Sequence, residues 1–187
     1  YCLASICIAL EMGISELSIR NTLNNFKGVK RRFESKGVTK NGIRIIDDYG
    51  HHPVEITFAL SSGRILANKN KLIAIFQPHR FSRLRDLFDE FCQCFNNADY
   101  VFISDVYAAG EREIENYNKE TLAAGISDFG HNNVSIINNQ NEICYKIHSI
   151  AKPNDVVIFL GAGSITKWSD TIVNQLNDSG LEYEEIF

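Results

Sequence analysis

Short apolar runs alternate with amphipathic stretches along most of this chain, and that alternation limits the folds it can adopt. Residues 72–76 and 156–160 are apolar at every position, which is typical of strands buried on both faces. Further strands are predicted at residues 33–38, 43–47, 100–103 and 134–137. Helices are predicted at residues 82–97, 119–129, 141–151 and 166–177. The pattern predicts an α/β fold, a doubly wound and mostly parallel Rossmann-like sheet with helices on both faces.

The first 29 residues lie outside this alternation. Residues 1–10 indicate one apolar helix, and Ser15 is placed to cap a second helix that ends near Phe26. A basic stretch at residues 27–32 then interrupts the pattern. We expect residues 1–29 to be helices left over from a neighbouring domain and residues 30–187 to form a domain of their own. The chain is therefore expected to be a fragment of a larger protein.

The apolar side chains of these two helices are predicted to differ in their exposure. In the first helix, three side chains are expected to be exposed or to pack against a neighbouring molecule: Leu3, Ile6 and Leu10. In the second helix, three side chains are expected to face a core: Leu17, Leu23 and Phe26.

Composition excludes several classes of function. The net charge of −4 gives no support to nucleic-acid binding, and no apolar run approaches the roughly 18 residues of a membrane span. The five cysteines are odd in number and fit no zinc spacing, so they are interpreted as reduced residues in the core of a cytoplasmic protein. The acidic stretch 182–185 is expected to be solvated.

The segment at residues 47–53, Asp-Asp-Tyr-Gly-His-His-Pro, joins a predicted strand to an amphipathic stretch that Pro53 opens. Its polar side chains therefore lie at the carboxyl end of a strand, where open α/β sheets bind ligands. Asp47 and Asp48 could bind a divalent metal together with His51 or His52. Neighbouring strand residues alternate faces, however, so only one of the two carboxylates can readily point into such a site.

Three other predicted strands also end in polar or glycine-rich loops, at residues 77–83, 104–111 and 161–164. Arg80 and Arg83 lie three apart at the start of a helix, where they could form an anion site or a solvated basic face. Residues 161–163 (Gly-Ala-Gly) could cradle a phosphate or could simply make a tight turn between strand and helix. A doubly wound topology would bring all these loops to one edge of the sheet.

These segments together resemble the Mur ligase family, most closely the C-terminal part of its alanine-adding members. The resemblance spans residues 30–165 and rests on five blocks in the expected order. The blocks are Lys-Arg-Arg-Phe-Glu at 30–34, residues 47–53, residues 76–88, residues 105–111 and residues 160–165. Ser164 departs from the pattern, since many family members carry an acidic or amide residue there.

The resemblance implies an ATP-dependent ligase of bacterial peptidoglycan synthesis that joins L-alanine to UDP-N-acetylmuramate through an acyl phosphate. ATP and Mg²⁺ are implied for the full-length enzyme, with no cofactor or metal site intrinsic to this part of it. By the family pattern, Arg32 and Asp48 would reach the nucleotide, Asp48 through the ribose hydroxyls. The residues that would line the alanine and acyl-phosphate end are Tyr49, His51, His79, Arg80 and Arg83. Of these, His51, Arg80 and Arg83 would take part in catalysis.

The family's phosphate-binding loop does not occur in this sequence, because no G-x-x-x-x-G-K-[ST] pattern is present. The fragment alone is therefore expected to be inactive and to need its N-terminal and central domains as partners. Three alternatives stay open at this point. They are the related ligase that recycles murein tripeptide, a nucleotide-binding module without chemistry that uses residues 161–163, and an interaction domain whose N-terminal helix docks a partner.

Overall fold

The computed structural model describes residues 2–26 and 28–178, so the acidic stretch 182–185 lies outside the described residues. Within those ranges six strands form one sheet. The strands are β1 (Glu34–Val38), β2 (Arg44–Asp48), β3 (Leu72–Phe76), β4 (Tyr100–Ile103), β5 (Val134–Ile136) and β6 (Val156–Leu160). The helices are α1 (Cys2–Glu11), α2 (Glu16–Asn25), α3 (Pro53–Ala67), α4 (Phe81–Asp86), α5 (Phe88–Gln93), α6 (Lys119–Asp128), α7 (Gln140–Ile150) and α8 (Thr166–Asn177).

The strand order in the sheet is β1-β2-β6-β3-β4-β5. Strands β2 to β6 run parallel, and β1 is joined to β2 as an antiparallel hairpin. Its turn contains Gly42 at φ +80°, a left-handed conformation that glycine adopts without steric cost. The prediction of a doubly wound, mostly parallel sheet is confirmed.

Two hydrophobic clusters cover the two faces of the sheet. Alternate strand residues such as Ala74 and Phe76 belong to one cluster, which packs against α3 to α6. Their neighbours Ile73 and Ile75 belong to the other cluster, which packs against α7 and α8. This division follows from the two-residue period of a strand, and it explains why the central strands have no polar face.

Local sequence signals set most element boundaries. Ser15 caps α2 through its hydroxyl, and Pro53 occupies the first turn of α3 behind a capping box formed by His52 and Glu55. The predicted helix at residues 82–97 is wrong in one respect. The chain forms two short helices separated at Leu87, whose φ and ψ of −123° and 27° are not helical. Leu87 and its neighbour Phe88 both pack against the core at this break.

The expectation that Leu17, Leu23 and Phe26 face a core is wrong for the described residues. All three side chains are exposed, and neither α1 nor α2 contains a buried residue. Leu3 and Leu10 are exposed as predicted, whereas Ile6 is half-buried. The described residues also contain no helix that is long and apolar enough to cross a membrane.

Candidate functional site

Four loops meet at the carboxyl edge of the parallel strands. They follow β2, β3, β4 and β6, and they carry the polar residues at 49–52, 77–80, 104–111 and 161–165. The rings of His51 and His79, on two different loops, have centroids 5.8 Å apart. Gln77 donates from Nε2 to Ser164 Oγ at 3.2 Å, which joins the β3 and β6 loops. The convergence predicted from the sequence is confirmed.

His79 is held by the loop that follows β4. Its ring stacks on that of Tyr107, with centroids 5.4 Å apart and planes inclined by 19°. The backbones of the two loops are also joined, because Tyr107 N–H donates to Pro78 O at 2.8 Å and Arg80 N–H donates to Tyr107 O at 2.9 Å. These contacts continue the parallel pairing of β3 and β4 one step beyond the strands. The imidazole therefore has a fixed position.

Arg80 and Arg83 share a helix but bind different partners. Arg80 Nη1 lies 3.3 Å from Glu111 Oε1, and Arg83 Nη1 donates to the carbonyl oxygen of His79 at 3.0 Å. Glu111 also accepts from the Ser82 backbone N–H at 3.0 Å and from the Ser82 hydroxyl at 2.7 Å. The Glu111 carboxylate therefore lies at the start of α4, in contact with Arg80 and Ser82.

Hydrogen bonding and burial shift two pKa values in this cluster. The Ser82 amide and hydroxyl, followed by the Arg80 guanidinium, lower the pKa of Glu111 to about 2. Burial of the imidazole, followed by the nearby charge of Arg83 and, more weakly, that of Arg80, lowers the pKa of His79. Glu111 is therefore a carboxylate and His79 a neutral imidazole at neutral pH.

The loop after β2 places His51 beside Tyr49 and the start of α3. The His51 ring contacts the Tyr49 ring edge-on at 5.1 Å, and His51 Nδ1 lies 3.0 Å from the Tyr49 carbonyl oxygen. Glu55 Oε2 accepts from the backbone N–H groups of His51 and His52. Burial alone would raise the pKa of Glu55, but the hydrogen bonds from these amides and the Arg32 charge hold it below its ordinary value. His52 caps α3 and is exposed.

Tyr49 lies between two arginines that precede β1. The guanidinium carbons of Arg31 and Arg32 lie 4.9 and 5.3 Å from the centroid of its ring. Arg32 is largely exposed and reaches Glu55 at 4.0 Å, so its charge is available to a ligand. Arg31 is instead fixed to the protein, since its Nη2 donates to Gly161 O at 2.5 Å.

Asp47 and Asp48 point in different directions, as strand alternation predicts. Asp48 accepts from the N–H groups of Phe33 and Gly50, both at 2.7 Å, and burial raises the pKa of its carboxyl. Asp47 is fully buried and accepts the Thr166 hydroxyl on Oδ2 at 2.9 Å. Among the described residues no three His, Cys, Asp or Glu side chains are grouped so that they could hold a metal ion.

Arg31 and Asp47 leave two buried polar atoms without hydrogen bonds. These are Arg31 Nε and Asp47 Oδ1, although Arg31 Nε lies 3.5 Å from the other carboxylate oxygen of Asp47. The pair lies under the Tyr49 side of the site, where it joins the segment before β1 to β2. A buried polar atom without a hydrogen bond lowers stability, so both atoms carry an energetic cost at this edge of the sheet.

The two glycines of residues 161–163 are required by close packing. A Cβ at Gly161, which has φ +147°, would lie 2.9 Å from the carbonyl oxygen of Gln77. A Cβ at Gly163 would lie 2.5 Å from both Gln77 Oε1 and Tyr107 Cγ. Gln77 Oε1 in turn accepts from the Ile165 N–H at the start of α8. These contacts favour the interpretation of this segment as a tight turn between strand and helix.

Sequence reasoning gave no role to four residues that shape the site: Arg31, Gln77, Tyr107 and Glu111. Each lies in a loop that the sequence predicts at the carboxyl edge of the sheet or, in the case of Arg31, beside the candidate site residue Arg32. Their location near the site was therefore predictable. Their partners could not be inferred, because each contact joins two segments far apart in sequence.

Comparison with known proteins gives a consistent result. The family model described as "Mur ligase, glutamate ligase domain" matches residues 31–163. The UDP-N-acetylmuramate–L-alanine ligases of Rhodospirillum rubrum and Gluconobacter oxydans are 49% and 50% identical over 174 residues. Each alignment covers 93% of this chain and 36% of the relative, so the chain spans about a third of the length of these relatives.

Solved structures give the same picture. The crystal structure of UDP-N-acetylmuramate-alanine ligase from Thermotoga maritima superposes with a TM-score of 0.75 at 27% identity, and the match covers 93% of this chain and 36% of that one. A murein peptide ligase from Psychrobacter arcticus superposes with a TM-score of 0.63 over 95% of this chain. At 22% identity, the second likeness shows the fold alone.

Proposed function

The chain belongs to the Mur ligase family, and on that premise we propose that it is the C-terminal part of an ATP-dependent ligase that joins L-alanine to UDP-N-acetylmuramate. One observation carries the proposal. Two imidazoles and two guanidiniums meet at one sheet edge, in a chain about half identical to ligases named for that reaction over 93% of its length. The reaction belongs to the cytoplasm, where ATP is available.

The proposed domain division follows the same reasoning. Residues 30–187 are proposed to be the C-terminal ligase domain, and residues 1–29 the last helices of a central, ATP-binding domain. The exposed apolar side chains of α1 and α2 support this division, because they find no cover within the described residues. The 187-residue chain alone is then expected to neither hydrolyse ATP nor form an amide bond, since the sequence carries no phosphate-binding loop.

The residues proposed to reach ATP differ in how well they suit it. Arg32 fits the nucleotide, because its guanidinium is largely exposed beside the Tyr49 ring. Asp48 suits ribose hydroxyls less well, because each of its oxygens already accepts a backbone N–H. Its clearer contribution is to fix Phe33 and Gly50, which flank Arg32 and Tyr49. Magnesium, which would bring charge neutralisation to the phosphates, has no group of ligands among the described residues.

The acceptor end of the reaction is assigned to the residues around His79. An acyl phosphate and the carboxylate of L-alanine are both anions, and guanidiniums bind such groups in two-point geometry. Arg80 and Arg83 are proposed to hold them, with Tyr49, His51 and His79 lining the same end. As the amine attacks, negative charge grows on the carbonyl oxygen, and donors fixed in advance stabilise it most effectively.

Alanine substitution of Arg80 and Arg83 in the full-length ligase tests the assignment. Each change should lower kcat/KM by roughly 30-fold to 1000-fold, the equivalent of about 2–4 kcal/mol for one lost charged contact. The KM for L-alanine should rise and that for ATP should change little. Arg83→Lys should restore activity only in part, since an ammonium lacks the planar fork.

Arg85→Ala is the matched control, because Arg85 is exposed and forms an ion pair with its neighbour Asp86. Equal and small effects at all three arginines would show that this is a solvated basic face. The substrate is tested by following ADP release with UDP-N-acetylmuramate and either L-alanine or the murein tripeptide. Release with the tripeptide alone would assign the chain to the recycling ligase instead.

A further inference from the structure

His51 and His79 face each other at the site. Each lies within hydrogen-bond distance of a group that can only donate or can only accept a hydrogen bond. A guanidinium can donate a hydrogen bond but cannot accept one, and a carbonyl oxygen can accept but cannot donate. Such partners fix which ring nitrogen of a neutral imidazole carries the proton. The tautomers of His51 and His79 can therefore be read from their contacts.

His79 meets the donor. Arg83 Nη1 lies 3.2 Å from His79 Nδ1 and also donates to the carbonyl oxygen of the same residue at 3.0 Å. The second contact fixes the guanidinium in place, and the stack on Tyr107 fixes the ring. His79 Nδ1 must then offer its lone pair, which leaves the proton on Nε2.

His51 meets the acceptor. Its Nδ1 lies 3.0 Å from the carbonyl oxygen of Tyr49, and 3.5 Å from Glu55 Oε2. Both partners can only accept, so Nδ1 carries the proton. In the neutral ring Nε2 then holds a free lone pair. The two imidazoles, with centroids 5.8 Å apart, thus present opposite properties from their Nε2 atoms.

We propose that His51 and His79 form a complementary pair, in which His51 Nε2 accepts a proton from the attacking amine and His79 Nε2–H donates a hydrogen bond to the oxygen that gains charge. Arg83 is then the positioning residue that sets the tautomer of His79, besides any contact it makes with substrate. The roles rest on the proposed ligase function, whereas the tautomers rest on the contacts alone.

The step balances without any further reactant. The amine lone pair of alanine attacks the acyl carbon, a C–N bond forms, and negative charge appears on the carbonyl oxygen beside His79 Nε2–H. His51 Nε2 takes one proton from the nitrogen. The carbonyl reforms as the bond from carbon to the phosphate oxygen breaks, and inorganic phosphate leaves with the electron pair. His79 keeps its proton throughout.

The charges around His79 agree with a neutral ring. Burial, followed by the guanidinium of Arg83 on α4, lowers the pKa of His79, and Arg80 at the N-cap of α4 acts in the same direction. His51, on the β2 loop, would add to this effect only when protonated. Glu111, on the β4 loop, is the opposing carboxylate and is already engaged by Arg80 and Ser82. A second proton would also place an N–H of His79 against the Arg83 donor.

Nitrogen NMR of the ¹⁵N-labelled 187-residue chain at neutral pH tests the tautomers without substrate. His131 is an internal reference, because its Nδ1 accepts the Asn133 N–H and its Nε2 faces the Ala98 carbonyl oxygen. His79 should show the pattern of His131, with an unprotonated Nδ1, and His51 should show the reverse. A proton on His79 Nδ1, or on His51 Nε2 alone, would overturn the proposal.

The Arg83→Met variant tests whether Arg83 sets the tautomer of His79. Removing the donor should let His79 populate both tautomers and should raise its titration midpoint, whereas Arg85→Met, two positions along the chain, should change neither. Arg83→Lys keeps a donor and should keep the Nε2–H form. An unchanged His79 spectrum in Arg83→Met would refute the positioning role.

The roles are tested in the full-length ligase by two isosteric exchanges. Glutamine places an amide N–H near the position of Nε2, so His79→Gln should retain more activity than His79→Asn. His79→Ala should lower kcat by roughly 100-fold to 1000-fold, as does loss of an oxyanion donor elsewhere. Equal losses for Gln and Asn would refute the donor role. The NMR result does not depend on which substrate the ligase uses. A wrong tautomer assignment can therefore be distinguished from a wrong assignment of the ligase function.

Discussion

The two edges of the parallel sheet solve the same backbone problem with different residues. At the amino edge, the residues other than glycine with positive φ are Asn68 and Asn154, and asparagine enters that region more readily than most residues. At the carboxyl edge, Asn116 also has positive φ, but so do Arg31, Phe33, Arg80 and Ala109, which do not favour it. The residues that tolerate positive φ poorly therefore lie where the polar loops meet. The difference indicates that the residues of the carboxyl edge are determined by the placement of their side chains and not by the conformational preference of their backbone.

Carboxylates show the same contrast. At the amino edge, Asp155 is buried and accepts the Lys71 and Lys152 N–H groups, one on each oxygen. At the carboxyl edge, Asp47 is equally buried but leaves one oxygen without a hydrogen bond. One edge is built for stability, and the other keeps costly features that bring functional groups together.

The amino edge should lose the most stability when a carboxylate is altered. Asp155→Asn replaces one acceptor by an NH₂ group that faces a backbone N–H, so the free energy of unfolding should fall by about 2–4 kcal/mol. Urea unfolding of the chain measures the change. Asp170→Asn changes an exposed carboxylate and leaves Lys36 paired with Glu34, so it should cost less than about 1 kcal/mol. Similar losses at the two positions would contradict the structural role given to Asp155.

At the carboxyl edge, Gly163→Ala should cost about 1–3 kcal/mol because the added Cβ meets Gln77 and Tyr107. Tyr107 would have to move, and the stack that holds His79 would move with it. Activity of the full-length ligase should therefore fall more than stability alone explains. Ser164→Ala, which removes only the Gln77 hydrogen bond, serves as the comparison. A fully active Gly163→Ala enzyme would show that the stack is dispensable.

Backbone strain should respond with opposite signs at the two edges. Ala109→Gly relieves a left-handed alanine and should stabilise the chain by up to about 1 kcal/mol, after the entropy cost of glycine. Asn154→Ala introduces such an alanine and should destabilise it by about 1 kcal/mol. Thermal unfolding of both variants gives the comparison, and changes of the same sign would remove the contrast between the edges.

The smallest effect is expected in the pH dependence of stability. Glu111 has its pKa lowered from 4.5 to about 2, so its stabilising contribution is complete above pH 4.5 and is lost as the pH falls toward 2. Glu111→Gln removes a titrating group. The stability of the variant should thus fall less steeply with acid over this range. Parallel curves for the two proteins would show that Glu111 is not held as described.

The fold was predictable because its signals are local and periodic. The runs at Leu72–Phe76 and Val156–Leu160 are apolar throughout, and the limits of all six strands and of α6, α7 and α8 agree with prediction to within a residue or two. The break at Leu87 was not predictable, because no proline or glycine marks it in the sequence. Nor could the exposure of Leu17 and Leu23 be predicted, since amphipathic spacing does not reveal whether a partner is present.

The location of the site was predictable from the sequence, but the hydrogen bonds within it were not. Strand ends marked His51, His79, Arg80 and Arg83, and the structure brings them together. The bonds between them could not be inferred, because Glu111 is 29 residues from the amide of Ser82 that it caps. The roles of these residues in binding and catalysis stay predictions.

The strand order leaves β1 and β5 as the two edge strands of the sheet, which bears on association between molecules. An open sheet ends in two rows of unpaired backbone groups, which invite intermolecular strand addition and aggregation. At one end β1 is interrupted by a bulge near Gly37, and Lys36 lies in ion pairs with Glu34 and Asp170. At the other end β5 is only three residues long. Neither border offers a long, regular template, so the sheet terminates instead of growing into a fibre.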